Sequence, residues 1–87
     1  MYYVYALVSK KDDRIYVGLT TNLESRLKEH NRGQTKTTKF YRPWELLHFE
    51  KLDTRIVARA REKQLKSGYG KEFLKEIRSC TVPVRSV

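Results

Sequence analysis

The sequence YVGLTTNLESRLKEH, residues 16–30, decides how the rest of the chain is interpreted. It predicts the end of a β-strand, then a glycine, then an amphipathic helix. Leu23 and Leu27 give the i, i+4 apolar stripe that a buried helix face needs. Thr21 and Glu24 have the spacing of a capping box, which predicts that the helix begins immediately after Thr21.

Two polar side chains border the apolar stripe of this helix. At about 100° per residue, Arg26 lies about 60° from Leu23, and His30 lies about 60° from Leu27. We therefore expect both at the rim of the buried face. A guanidinium and a titratable imidazole beside a strand that carries tyrosine form a candidate site for an anionic substrate.

The length and composition set limits on the class of protein. The 87 residues predict one domain with a small core, which we assign to residues 1–79, followed by a flexible tail without pattern at residues 80–87. No apolar run is long enough to span a bilayer, and the N-terminus lacks the features of a secretory signal. A single cysteine, Cys80, excludes an internal disulfide, so we expect a cytoplasmic location.

The chain is strongly basic, with a formal net charge of +9. The excess is concentrated at residues 26–42, with six basic residues and one acidic, and at residues 55–66, with five basic and one acidic. Such a field attracts polyanions, and nucleic acid is the commonest. Charge used only for solubility is the alternative; a membrane surface is disfavoured because no segment pairs a basic face with a large apolar one. The residues predicted to contact nucleic acid are Arg32, Lys36, Lys39, Arg42, Lys63 and Lys66.

The hydrophobic pattern predicts a β-hairpin followed by alternating helices and a strand. Aromatic and branched residues at 2–8 and 14–20 favour two strands joined by a polar turn at 10–13. The further elements are a basic loop at 33–43, a strand at 44–52, a helix from Asp53 or Thr54 to about Ser67 that Gly68 ends, and a helix from Gly70 to about Arg78. The order ββαβαα predicts an α/β fold with a small three-stranded antiparallel or mixed sheet flanked by helices.

The hairpin register can also be predicted. A four-residue turn pairs Leu7 with Tyr16 and Tyr5 with Gly18, so Tyr5 and Tyr16 share a face as diagonal neighbours about 7–8 Å apart. Because Gly18 has no side chain, we expect a vacant patch above the sheet opposite Tyr5. Two phenols beside such a patch suit the floor of a pocket, although tyrosine is also a common packing residue in strands.

One carboxylate is a candidate for chemistry. The chain has no second cysteine, no histidine pair at metal-binding spacing and no GxxxxGK loop. Glu62 lies about 40° from Ala58 and about 60° from Leu65 on the predicted helix, hence toward the apolar side. There an ionised carboxylate needs a cation or a metal ion. The alternative is a surface ion pair with Lys66 or Arg59.

The order of these residues resembles the GIY-YIG nuclease family, in its compact standalone bacterial single-domain form. The two triplets of the family correspond to YVY at residues 3–5 and YVG at residues 16–18. The arginine and histidine of the following helix correspond to Arg26 and His30, and the glutamate of a later helix to Glu62. Five positions in this order are much more specific than one triplet.

The resemblance implies a metal-dependent endonuclease that hydrolyses DNA phosphodiester bonds with Mg²⁺ or Mn²⁺. It further implies low intrinsic sequence specificity, a role in DNA repair or recombination, and a protein partner that supplies selectivity. The alternative is a non-catalytic nucleic-acid-binding module with the same fold. The roles implied are metal ligand for Glu62, neutralisation of phosphate charge for Arg26, activation or positioning of the attacking water for Tyr5, and assistance for Tyr16 and His30.

The resemblance covers residues 2 to about 78 and has two departures. The first triplet begins with Tyr3 where the family name has glycine. Many members carry an asparagine near the end of the domain, but no asparagine follows Asn31 here. Tyr69 and Lys71 lie in the corresponding region, and either is a candidate to take the place of the asparagine.

Overall fold

A three-stranded antiparallel sheet organises the chain. The structure is a computed structural model that describes the backbone of residues 1–36 and 38–86 and, within these ranges, the side chains up to residue 78. Strands β1 (Tyr2–Ser9), β2 (Ile15–Thr20) and β3 (Trp44–Leu52) lie in the order β2-β1-β3. The helices are α1 (Leu23–Arg32), α2 (Arg55–Lys66) and α3 (Gly68–Ser86), with a 3-10 turn at Lys39–Tyr41. The predicted fold class and the order ββαβαα are confirmed.

The central strand β1 is buried on both faces. Val4 and Ala6 are fully buried on one face, against the apolar sides of α2 and α3. Tyr5 and Leu7 are buried on the other face, which α1 and Trp44 cover. Since successive residues of a strand point to opposite sides, one strand contributes to two separate cores.

The predicted hairpin register is confirmed, but the vacant patch is not. Leu7 pairs with Tyr16 and Tyr5 pairs with Gly18. A Cβ atom at Gly18 would lie 2.6 Å from Tyr5 Cζ and 3.1 Å from Tyr16 Cε2. The Tyr5 phenol therefore lies over Gly18 and fills the space that we expected to be empty.

Helix α1 begins one residue later than the capping box predicts. Asn22 is the N-cap, and its side-chain oxygen accepts a hydrogen bond from the backbone N–H of Ser25 at 3.1 Å. The predicted capping box of Thr21 and Glu24 is wrong, because asparagine is at least as good an N-cap and already satisfies the free donor. Gly33 ends the helix with φ = 83°, as predicted.

Ser67 joins α2 to α3. Thr54, one of the two predicted candidates, is the N-cap of α2. The C-cap is Ser67, whereas the sequence predicts that Gly68 ends the helix. The Ser67 hydroxyl donates to the carbonyl of Gln64 at 2.5 Å, and the carbonyl of Ser67 accepts from Lys71 N at 3.0 Å, in the first turn of α3. One serine thus satisfies backbone groups at the ends of both helices, which leaves only a short connection between them.

Helix α3 is longer than predicted. It runs over Gly68–Ser86, whereas the sequence pattern indicates a helix from Gly70 to about Arg78. Residues 80–86, expected to lack regular structure, have helical backbone, and residue 87 lies outside the described residues. The domain limit at residue 79 and the flexibility of residues 80–87 stay predictions. In the described part of the chain, no helix is long and apolar enough to cross a membrane.

A buried polar network joins α1 to the sheet. His30 is fully buried, with Nε2 at 2.9 Å from the Tyr5 hydroxyl and Nδ1 at 2.8 Å from Thr38 Oγ1. The Trp44 indole N–H donates to the carbonyl of Thr38 at 2.9 Å. The expectation that His30 lies at the rim of the helix face is wrong, because the segment before the 3-10 turn folds over it.

Burial determines the charge of His30. Loss of solvent lowers the pKa of this imidazole, and the nearby positive charge of Arg26 lowers it further, while Glu29 acts in the opposite direction. The ring is therefore neutral in the folded protein at pH 7, with both nitrogens in hydrogen bonds.

A methyl group at position 18 tests the packing of the two phenols. In Gly18→Ala the new Cβ meets the rings of Tyr5 and Tyr16, so we expect the free energy of unfolding in urea to fall by about 1–3 kcal/mol. Gly68→Ala is the matched control, since no atom lies within 4 Å of a Cβ there. Equal stability of the two variants would contradict the observed position of the Tyr5 ring.

The buried histidine predicts a pH dependence of stability. The pKa of His30 in the folded protein is below the value of about 6.5 in the unfolded chain, so below that pH the unfolded chain binds a proton that the folded protein does not. The contribution of His30 to the free energy of unfolding should be fully present above about pH 6.5. As the pH drops, the free energy of unfolding should fall by up to about 1.4 kcal/mol per pH unit. Urea titrations should show this slope in the wild type and in His48→Gln, but not in His30→Gln.

Candidate active site

Three aromatic rings meet on the α1 face of the sheet. Tyr5 comes from β1, Tyr16 from β2 and His30 from α1. The centroids of the Tyr5 and Tyr16 rings are 6.4 Å apart, and those of Tyr16 and His30 are 5.0 Å apart in an edge-to-face arrangement. The structure thus brings together three of the five predicted catalytic residues.

Arg26 lies one helical turn before His30, at the rim of the buried face as predicted. Its Nη1 is 2.9 Å from Glu29 Oε1, and the two side chains are 37% and 40% exposed. Its guanidinium also faces the Tyr5 hydroxyl, and hydrogen bonding to Tyr5 raises the pKa of Arg26. Arg26 lines a surface hollow of about 400 Å³, so an anion in solvent can reach its guanidinium.

The environment of Tyr5 favours the neutral phenol. Burial is the largest cause of its raised pKa, and the negative charges that Tyr16 and Glu62 can carry act in the same direction. A hydrogen bond and the positive charge from Arg26 lower the pKa but do not outweigh burial. The hydroxyl is therefore protonated at neutral pH, and the charges of Arg26 and Glu62 both act on its pKa.

Glu62 lies toward the apolar side of α2, between the buried residues Ala58 and Leu65. Its side chain is only 13% exposed, and Oε2 is 3.2 Å from Lys66 Nζ. The two interpretations of Glu62, a carboxylate toward the apolar side and an ion pair on the helix, are therefore each correct in part. The carboxylate is directed toward the interior, and it forms the i, i+4 ion pair with Lys66.

The donor groups fit one mode of metal binding. Within the described residues, no three His, Cys, Asp or Glu side chains come together. Mg²⁺ is commonly held by one or two carboxylates, with substrate phosphates and water as the remaining ligands. Glu62 can serve in that way, and the ammonium of Lys66 neutralises it in the structure described.

The residues predicted to contact nucleic acid form two groups on different elements. The first lies at the end of α1 and around the 3-10 turn, and the second on α2. Lys39 Nζ is 5.0 Å from the centroid of the exposed ring of Phe40, an aromatic that the sequence analysis did not single out. The first group is Arg32, Lys36, Lys39 and Arg42, and the second is Lys63 and Lys66, all exposed except for the half-buried Lys39.

Two residues around His30 were missed by the sequence analysis. The Thr38 hydroxyl is hydrogen-bonded to Nδ1 of His30, and the Trp44 indole N–H donates a hydrogen bond to the Thr38 carbonyl. No local pattern distinguishes Thr38 from the other threonines of the loop.

The pairing of Arg26 with Glu29 could have been found, because an i, i+3 spacing on a helix favours such a pair.

Comparison with known proteins places these features in a family. The model of the GIY-YIG catalytic domain matches residues 1–76. A UPF0213 protein of Haloquadratum walsbyi is 45% identical over 67 residues, which are 76% of this chain and 74% of that protein. A UPF0213 protein of Staphylococcus haemolyticus is 39% identical over 77 residues, 87% of this chain and 93% of that protein.

A solved structure is similar in fold. The solution NMR structure of a UPF0213 protein from Bacillus halodurans matches with a TM-score of 0.54 and 32% identity, covering 88% of this chain and 85% of that one. The family model covers nearly the same span of the chain as the resemblance predicted from the sequence, residues 2 to about 78. The chain belongs to the GIY-YIG catalytic domain family, a family of nucleases.

Proposed function

We propose that this protein is a divalent-metal-dependent endonuclease that hydrolyses DNA phosphodiester bonds with low intrinsic sequence specificity. The observation that carries the proposal is the surroundings of the Tyr5 hydroxyl. His30 Nε2 lies at 2.9 Å, Arg26 faces it as a hydrogen-bond donor, and the charge of Glu62 reaches it from α2. Groups for proton transfer and phosphate binding thus lie at one oxygen atom, and the candidate metal-binding carboxylate acts on it electrostatically.

Arg26 is suited to bind the scissile phosphate. A guanidinium donates two parallel hydrogen bonds to a phosphate and neutralises the charge that develops on it. Its present partner, Glu29, forms an ion pair that is more than one-third exposed, and such pairs contribute little free energy. A phosphate can therefore replace Glu29 as the partner of Arg26 at little cost.

Tyr5 takes the proton of the attacking water. A phenol has a pKa near 10, and burial raises it here, so this role depends on cations that favour the phenolate. With the Nδ1 hydrogen of His30 donated to Thr38, the Nε2 atom accepts the hydrogen bond from Tyr5. His30 thus holds the hydroxyl in position before the reaction and receives its proton at Nε2 when the phenolate forms, and the Tyr16 ring packs beside it.

Glu62 is the residue that would hold the metal ion, with the phosphate and water as further ligands. Bound Mg²⁺ or Mn²⁺ supplies Lewis-acid stabilisation of charge on the phosphate and the leaving oxygen. Lys66, released from Glu62, becomes available to the DNA backbone together with Lys63 and the cations near the 3-10 turn. A non-catalytic binding module would gain nothing from a carboxylate held at this place, because the charge of Glu62 repels phosphate.

The cellular setting follows from the same features. Low sequence specificity fits a role in DNA repair or recombination, in which a protein partner supplies the selectivity. A single cysteine suits the reducing cytoplasm.

Substitutions of the two charged residues test the assignment. In Glu62→Ala and Arg26→Ala we expect the rate of nicking of supercoiled plasmid with Mg²⁺ or Mn²⁺ to fall about 100-fold or more, since each removes charge stabilisation from the transition state. Glu76→Ala and Arg55→Ala are the matched controls, because they make the same substitutions at exposed helix positions. Both should cut the plasmid at the wild-type rate. Glu62→Ala should still bind DNA in low salt. Loss of that binding, or unchanged cutting, would contradict the metal-binding role.

The pH dependence of cleavage tests the role of Tyr5. Because burial raises the pKa of this phenol, the phenolate fraction grows about tenfold per pH unit at neutral and mildly alkaline pH. The logarithm of the single-turnover rate should then rise with pH with a slope of about one, and Tyr5→Phe should lose activity at every pH. A flat profile for the wild type would show that Tyr5 only positions the water.

A further inference from the structure

The hydroxyl of Thr38 lies on the side of the His30 ring that faces away from Tyr5. Its Oγ1 is 2.8 Å from Nδ1, whereas the Tyr5 hydroxyl is 2.9 Å from Nε2. Thr38 is 1% exposed and His30 is fully buried, so both ring nitrogens have their partners inside the protein. The resemblance to the family gives Tyr5 and His30 a role but gives none to Thr38.

The backbone of Thr38 is held from both sides. Its N–H donates to the carbonyl of Thr35 at 3.2 Å, and its carbonyl accepts from the backbone N–H of Tyr41 at 3.1 Å. The same carbonyl accepts from the indole N–H of Trp44 at 2.9 Å, and that indole belongs to a buried residue of β3. The fold of the loop therefore sets the position of the Thr38 hydroxyl against the imidazole.

The groups around Tyr5 decide which nitrogen of His30 carries the hydrogen. Arg26 donates to the Tyr5 oxygen and cannot accept, because a guanidinium has no acceptor. Among the residues that the structure describes, the acceptor in hydrogen-bond contact with the Tyr5 hydroxyl is Nε2 of His30. A buried hydroxyl needs an acceptor for its own hydrogen, so Nε2 is unprotonated and the hydrogen of the neutral ring is on Nδ1.

The chain of hydrogen bonds therefore has one direction. Tyr5 donates to Nε2 and Nδ1 donates to Thr38 Oγ1, while the Thr38 hydroxyl faces the carbonyl of Thr35 at 3.5 Å. If the Thr38 hydroxyl donated to Nδ1 instead, Nε2 would carry the hydrogen. The Tyr5 hydroxyl would then face two donors and have no acceptor.

We infer that Thr38 is a positioning residue, which keeps the hydrogen of the His30 ring on Nδ1 so that Nε2 can take the proton of Tyr5. The inference rests on the proposed function and deepens it, since it names a residue that acts on the phenol through His30. In that step the O–H bond of Tyr5 breaks and an N–H bond forms at Nε2, which gives a phenolate and an imidazolium. The hydrogen on Nδ1 stays with Thr38, so both N–H groups of the imidazolium remain in hydrogen bonds.

A purely structural threonine is the alternative, because any buried partner of His30 also stabilises the fold. That role predicts a loss of stability when the hydroxyl is removed, but it requires no preference between the two nitrogens of the ring. The two roles thus differ in a measurable property, the nitrogen that carries the hydrogen.

The first test is a long-range ¹H–¹⁵N correlation spectrum of the untagged protein at neutral pH, which shows the nitrogen that carries the hydrogen. The chain has two histidines, so His48→Gln leaves the signals of His30 alone. In this background we expect the hydrogen on Nδ1. In Thr38→Val, which removes the acceptor, we expect it on Nε2, where it can donate to the Tyr5 oxygen. Thr38→Ser should return it to Nδ1.

The second test is single-turnover cleavage of plasmid by the same variants. Thr38→Val should lower the rate about 10- to 100-fold, the usual loss when a residue that orients a functional histidine is removed. Its affinity for DNA in EDTA should stay at the wild-type value, because Thr38 carries no charge. Thr38→Ser should cut at the wild-type rate, and so should Thr21→Val, which makes the same substitution at an exposed threonine.

Two results would overturn the inference. A hydrogen on Nε2 in the protein with Thr38 intact would show that this residue does not set the tautomer, and that measurement does not depend on the folding of a Thr38 variant. A Thr38→Val protein that keeps the hydrogen on Nδ1, or that cuts at the wild-type rate, would leave Thr38 with a structural role only.

The inference and the proposed function fail separately. Cleavage by a wild-type protein whose hydrogen is on Nε2 overturns the inference alone. A hydrogen that lies on Nδ1 and moves in Thr38→Val, in a protein that does not cut DNA, overturns the nuclease assignment and leaves the direction of the hydrogen bonds as inferred.

Discussion

The hydrogen bond between the Tyr5 hydroxyl and His30 Nε2 is the interaction on which the rest of the structure depends. It joins the central strand to the helix that covers it, and both side chains are withdrawn from solvent. Breaking it would leave Nε2 of His30 buried without a partner, which costs more free energy than the bond itself contributes. The contact of His30 with Thr38, and of Trp44 with the Thr38 carbonyl, extends this link to the third strand. Among the described side chains, no buried polar atom lacks a hydrogen-bond partner. The packing and the proposed chemistry therefore depend on the same atoms.

The two charged members of the cluster are held in a resting arrangement by neighbours on their own helices. Arg26 is paired with Glu29 and Glu62 with Lys66, at spacings of three and four residues. Such local pairs are weak where they reach solvent, and the side chains of Glu29 and Lys66 are 40% and 53% exposed. In the function proposed above, a DNA phosphate and a divalent cation would replace Glu29 and Lys66 as the partners of Arg26 and Glu62.

The sequence predicts the parts of the fold that depend on local periodicity. A four-residue turn was sufficient to pair Tyr5 with Gly18 correctly, because the length of the turn fixes the register of a hairpin. The start of α1 was misplaced by one residue, since Thr21 and Asn22 are both good N-caps and only the folded turn selects between them. The complete burial of His30 could not be predicted, because a helical wheel describes one helix and not the distant loop that covers it. The grouping of the five candidate residues followed from the resemblance to the family, and periodicity alone would have left each of them with a structural explanation.

Gly18 explains how residues from opposite faces of the sheet come to act on one another. Helix α2 packs on the face of Val4, whereas Tyr5 belongs to the other face, so a central strand would ordinarily separate Glu62 from the phenol. Because Gly18 has no Cβ, the Tyr5 ring lies across β2, and β2 is the edge of the sheet. The hydroxyl is thereby carried over the edge strand, where burial is the largest cause of its raised pKa and the charge of Glu62 acts in the same direction. The glycine of the second triplet is thus required by packing, since a Cβ atom there would meet the rings of Tyr5 and Tyr16.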